Sequence, residues 1–164
     1  MCKILTSLVR NRIYDFLCRN KYIETNIQKG FWTGISGTIE HTETMSYLIN
    51  HARLKQRSIT ITLLDLKNAF GEVHHELLRS GLKYHQIPRE IEKLIFLLYK
   101  DFHIAISANN FTTPLIHVQK GVLQGDCLSP LLFNMCVNTL IKTIDNEKLK
   151  CLGYLYDNTI TPKH

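Results

Sequence analysis

Asp65 stands at the end of the β-branched, alternating run Ser58-Ile59-Thr60-Ile61-Thr62-Leu63-Leu64 and just before Leu66-Lys67-Asn68-Ala69-Phe70. That pattern predicts a strand tipped by a carboxylate and followed by a tight turn. A strand fixes the carboxylate, and a turn presents backbone N–H groups to a phosphate. Hard cations such as Mg²⁺ take oxygen ligands and share them with substrate phosphates. Taken alone, Asp65 reads first as a residue capping the turn. The second candidate runs Lys120-Gly121-Val122-Leu123-Gln124-Gly125-Asp126-Cys127-Leu128-Ser129-Pro130. Its glycines allow close approach of a ligand to the backbone, and Gln124 can both donate and accept hydrogen bonds. On composition alone this is an ordinary strand-to-helix connection. Phe70 by itself reads as a core aromatic. The eight histidines suggest no metal site: His74 and His75 are adjacent and diverge, while His41 and His51 do not share a helical face cleanly.

Several elements must hold these residues. Ile4, Leu5, Leu8, Val9, Ile13, Phe16 and Leu17 recur at helical spacing. A glycine-rich loop spans 28–37, and a second helix is expected from about Thr38 to Lys55, with Met45, Leu48, Ile49 and Ala52 on one face. Glu40 and Glu43 in its first turns suit the positive end of the helix dipole. A helix is predicted from His75 to about Gly81. Another opens at Pro88, with Ile91, Leu94, Ile95, Leu98 and Phe102 on its stripe. Residues 102–107 and 111–118 flank Ala108-Asn109-Asn110, the pattern of a hairpin. Ser129 and Pro130 read as the N-cap and first residue of a helix bearing Leu132, Phe133, Cys136, Val137, Leu140 and Ile144. Helices, a hairpin and a carboxylate-tipped strand together predict an α+β fold.

The chain's 164 residues suit one domain with a core of its own. Twenty Lys and Arg against fourteen Asp and Glu give a net charge of +6, which allows a polyanionic partner without establishing one. Five cysteines, an odd number without a C-x-x-C pair, argue against a disulfide framework and a zinc finger and fit reduced thiols inside a cell. The apolar runs are too short to span a bilayer, and Met1 to Leu5 do not open a signal peptide.

Asp65-x-x-x-Ala69-Phe70 and Gln124-Gly125-x-x-x-Ser129-Pro130, lying in this order and 59 positions apart, resemble the first catalytic motif of the reverse transcriptase palm and the motif that follows it. Upstream, Gln28-x-Gly30-Phe31 followed by Ser36 and a helix resembles the fingers segment of enzymes from LINE-type (non-LTR) retroelements. The stretch with Leu8, Arg12 and Arg19 is similar to the region before it. The resemblance implies a partial right-hand polymerase with helices packed on a small antiparallel sheet, about 1–57 fingers-like and about 58–164 palm-like. It implies template-directed nucleotidyl transfer by an RNA-directed DNA polymerase, with an RNA template, a DNA primer, deoxynucleotides and Mg²⁺. Asp65 and the Leu66 carbonyl would hold metal. Lys67, Asn68, Ala69 and Phe70 would lie along the triphosphate, with Phe70 excluding a 2′-hydroxyl. Gln124 and Gly125 would line the nucleotide and template side, and Lys120 would contact the backbone. Nuclear residence would follow from the family's work on chromosomal DNA.

The sequence also departs from that pattern. The family's aromatic-x-Asp-Asp hairpin has no literal match, Tyr156-Asp157-Asn158 is not that motif, and the chain is expected to stop before the hairpin. Gly71 stands where many relatives carry Asp, with a structural consequence expected. With one carboxylate, the chain alone is expected to lack polymerase activity. The alternatives are a non-catalytic remnant that binds RNA or RNA–DNA, and a product without function.

Overall fold

The computed structural model describes residues 2–22, 27–30, 38–100, 102–144, 149–154 and 157–162. The elements in chain order are α1 (Cys2–Arg19), α2 (Thr38–Leu54), β1 (Thr62–Asp65), α3 (His75–Tyr84), α4 (Arg89–Lys100), β2 (His103–Ile104), β3 (Ser107–Ala108), β4 (Phe111–Thr112), β5 (Ile116–His117), α5 (Ser129–Ile144), β6 (Leu149–Tyr154) and β7 (Asp157–Pro162). Helices combine with small antiparallel sheets, as an α+β reading requires.

The core gathers on α5. Leu132, Met135 and Ile141 are almost fully buried there, and α3 crosses the helix with Leu78 and Leu82 equally enclosed. Gly81 lies where the two helices approach: a Cβ there would stand 3.6 Å from the Cys136 backbone. The helix predicted to stop near Gly81 therefore continues to Tyr84, because this glycine serves packing inside the helix rather than its end. From α4, Ile95 and Tyr99 enter the core, whereas Phe102 falls beyond the helix. Pro88 precedes α4 rather than beginning it, and its carbonyl accepts the amides of Ile91 and Glu92, each at 3.0 Å.

α1 buries Val9, Ile13 and Leu17, but Ile4, Leu5 and Leu8 remain exposed. Thr6 takes the buried place one turn before Val9 because its hydroxyl has a partner inside: it donates to Asp126 Oδ1 at 2.6 Å. On α2 Ala52 is buried while Ile49 is exposed, so the expected stripe is only partly enclosed. That helix is tied down by polar contacts, with Lys29 paired to Glu40 and His41 Nε2 lying 3.0 Å from the Ile27 carbonyl.

Three strands form one sheet in the order β1-β7-β6, all antiparallel. The strand expected over 58–65 is confined to Thr62–Asp65, the length over which β7 supplies backbone partners. The hairpin expected around Ala108-Asn109-Asn110 forms as two short ladders, β2 with β5 and β3 with β4. Between them the Thr113 amide donates to the Ile106 carbonyl at 2.9 Å.

Candidate active site

Asp65 closes β1 with its side chain exposed. Behind it the chain turns through Lys67–Phe70, where Asn68 adopts φ +50°. Asn tolerates this left-handed region better than most residues. Glu72 then donates its amide to the Asn68 carbonyl at 3.0 Å. A Cβ at Gly71 would stand 2.4 Å from the Asn68 side-chain amide, which can rotate aside. Lys67 and Asn68 are exposed, Ala69 is buried, and Phe70 is half-buried with its ring edge-on to Phe133 of α5 at 5.1 Å.

The second motif meets the first directly behind this turn. Val122 donates its amide to the Phe70 carbonyl at 2.8 Å, and Gly121 donates to the Val73 carbonyl at 2.7 Å. Gly121 sits at φ +94°, and a Cβ would lie 3.0 Å from both the Phe70 and Gly71 carbonyl oxygens. Only glycine permits this approach. His74 and Lys120 add a bridge between the same two segments, and His75 Nε2 lies 3.2 Å from the Gly121 carbonyl. Lys120 pairs with Glu72 at 2.6 Å. That hydrogen bond and the ammonium charge hold the Glu72 carboxyl below the usual carboxylate range.

Past this junction Gln124 and Gly125 are exposed. Gly125 has φ +84°, and a Cβ there would touch nothing within 4 Å, so the loop presents an open face. Asp126, which sequence reasoning passed over, anchors the loop at both ends. Its Oδ1 accepts from Thr6, and its Oδ2 accepts the Leu128 amide at 3.3 Å. Ser129, expected as the N-cap, already lies within α5, and its buried Oγ makes no hydrogen bond among the described residues. The first helical amide here, that of Leu132, goes to the Leu128 carbonyl at 3.1 Å.

Asp157 is expected to be the only acid near the family's missing paired-aspartate hairpin. β6 and β7 form a hairpin beside β1, and Asp65 stands opposite Asp157, with Leu64 opposite Asn158. In an antiparallel pair, directly opposed residues have Cα atoms only about 4.5–5.5 Å apart. Phe31–Gly37 of the glycine-rich loop and Tyr156 lie outside the described residues.

A family model described as "Reverse transcriptase (RNA-dependent DNA polymerase)" matches residues 1–164. The chain belongs to the reverse transcriptase family. Among its relatives are Pol polyproteins of the type-1 retrotransposable element R2 from Nasonia vitripennis, 32% identical over 66% of this chain, and from Popillia japonica, 29% identical over 68%. The Drosophila melanogaster type-2 element R2DM polyprotein is 25% identical over 82% of the chain. The matched regions cover 10%, 18% and 12% of these relatives, so this reverse transcriptase chain spans a small part of their length. These reverse transcriptase relatives are all Pol polyproteins of R2 retrotransposable elements.

Proposed function

We propose that this chain forms the fingers and palm portion of a right-hand RNA-directed DNA polymerase and contributes the nucleotide and metal sites for template-directed nucleotidyl transfer. The observation that carries this reading is the junction of the two motifs, with Val122 bonded to Phe70 and the Gln124–Gly125 loop open beside it. Asp65, Asp157 and the Leu66 carbonyl are oxygen donors of the kind Mg²⁺ takes, and the opposed backbones of the two aspartates suit a shared ion. Mg²⁺ bound there would offset charge on the attacking and leaving oxygens of the transferred phosphate.

Lys67 and Asn68 lie along the triphosphate, Ala69 lets the backbone pass closely, and Phe70 blocks a 2′-hydroxyl with its ring. Phe70 can do so because Phe133 fixes its edge. Gln124 and Gly125 face the base and template. RNA template, DNA primer and deoxynucleotides are the partners. No helix among the described residues is long and apolar enough to cross a membrane. We assign the protein to the cell interior, and to the nucleus by the family's work on chromosomal DNA. A non-catalytic RNA-binding role is the second reading. It is favoured by the lack of an Asp-Asp pair anywhere in the sequence, Asp157 being followed by Asn158.

Calorimetric titration of Mn²⁺ with a deoxynucleoside triphosphate tests the site. Asp65→Asn and Asp157→Asn should each weaken binding about tenfold or more, the scale of losing a charged ligand. Unchanged binding in Asp65→Asn rejects the reading. In primer extension the isolated chain should give no template-dependent product, because the hairpin lacks an acid. Extension abolished by Asp65→Asn would reverse that expectation and strengthen the catalytic reading over the RNA-binding one.

A further inference from the structure

Helix α5 carries two asparagines one turn apart, Asn134 and Asn138, each only 1% exposed amid apolar neighbours. A buried amide is costly unless it is bonded. Both spend their Nδ2 hydrogens on the same upstream segment. Asn134 donates to the Gly30 carbonyl at 2.8 Å, and Asn138 donates to the Tyr22 carbonyl at 3.2 Å and to His85 Nε2 at 3.0 Å. The peptide chain at Gly30 is gripped a second time, because Gln28 Oε1 accepts the Gly30 amide at 3.0 Å. Gln28 is itself 1% exposed.

The helix bearing these rungs starts immediately after the Gln124–Gly125 loop. The segment they grip runs straight into the glycine-rich stretch at 31–37. Thr6 adds a third cross-link, from α1 to Asp126 in the loop itself. α1 is thereby fixed to the loop that carries Gln124 and Gly125, and Tyr22 and Gly30 are fixed to the helix that follows it.

We propose that Asn134 and Asn138 are positioning residues: an amide ladder that sets Tyr22 and the fingers-side residues 27–30 against the helix that follows the nucleotide-facing loop. The proposal rests on the nucleotide-binding reading of Gln124 and Gly125. Loosening a rung lets Tyr22 or residues 27–30 move against the start of α5. Nucleotide capture then weakens, while Asp65 on β1 stays in place.

The test uses the polymerase that carries this chain, with Asn134→Leu, the milder Asn134→Ser and, independently, Gln28→Met. Amide hydrogen exchange over 27–30 should quicken about tenfold, the scale of one lost buried hydrogen bond, with α3 protection unchanged. The nucleotide KM should rise by a similar factor of about ten, with kcat held within about twofold. Unchanged exchange in these variants overturns the ladder. Faster exchange with KM and kcat both unchanged overturns its positioning role. An inactive parent enzyme overturns the functional reading instead, and the two failures are separable because the exchange measurement needs no activity.

Discussion

His85 shows how one buried side chain commits a fold to a protonation state. Its Nδ1 lies 2.7 Å from the Gly81 carbonyl, which can only accept, so Nδ1 carries the proton and Nε2 is left bare to accept from Asn138. A second proton would set N–H against N–H. Burial pushes the imidazole below its usual value, the nearby Lys142 charge adds to this, and the bond to Gly81 opposes it. Tyr22 and Tyr84 supply the aromatic edges around the ring. Since the folded value is lowered, the stabilisation is complete above the unfolded value near 6.5 and is lost as pH falls below it. Urea melts at pH 8 and pH 5 should show lower stability in acid, with a slope of at most about 1.4 kcal/mol per pH unit from this group. His85→Gln should flatten that dependence, and an unchanged slope would assign it to other groups. Residues of this kind were hidden in the sequence. Asp65 and Gln124 were legible because a strand end and a glycine pair mark them. Asn134 and Asn138 interrupt an apolar stripe without announcing a partner more than a hundred positions upstream.

α1, α2 and α3 end in the same way, and none ends on glycine. Lys21, Gln56 and Gln86 each adopt a left-handed conformation, with φ of 54°, 51° and 53°. The following residues close the turn: Tyr22 donates to the Leu17 carbonyl, Arg57 to Ala52 and Ile87 to Leu82, at 3.1, 2.9 and 3.0 Å. This is a Schellman ending, in which glycine normally avoids the steric cost of the left-handed region. That cost is roughly 1 kcal/mol for other residues. Gln56→Gly and Gln86→Gly should therefore each raise the melting temperature by about 2–4 °C in calorimetric scans. A fall in both would show that their side chains contribute more than the strain costs. The same endings explain why helix starts were easier to read than helix stops. Thr38, His75 and the Ser129-Pro130 pair marked starts to within a residue, but the expected glycine signal misplaced the end of α3 at Gly81.

Twenty basic against fourteen acidic side chains give the whole chain a cationic surface, and Arg12, Arg19, Lys93 and Lys100 are exposed on it. Binding of a single-stranded RNA should weaken linearly with the logarithm of salt concentration, with a slope near −0.7 per phosphate contacted. A flat profile in fluorescence anisotropy would reject backbone recognition by this chain. The mixed α+β architecture was evident from periodicity and turns, yet the sheet order β1-β7-β6 was not. Long-range pairing between two short polar-flanked strands leaves no local trace, and nothing in Asp157–Pro162 names Thr62–Asp65 as its neighbour. That pairing carries a consequence for biosynthesis. Thr62 meets Ile160, so the strand bearing Asp65 leaves the ribosome nearly a hundred residues ahead of its partner. At typical elongation rates of about 5–20 residues per second, it waits roughly 5–20 s with an open edge. The pairing that sets Asp65 opposite Asp157 thus forms only after the intervening chain has been made. Slowing translation between the two strands should lengthen the interval during which this edge is open to chaperones or to misassociation.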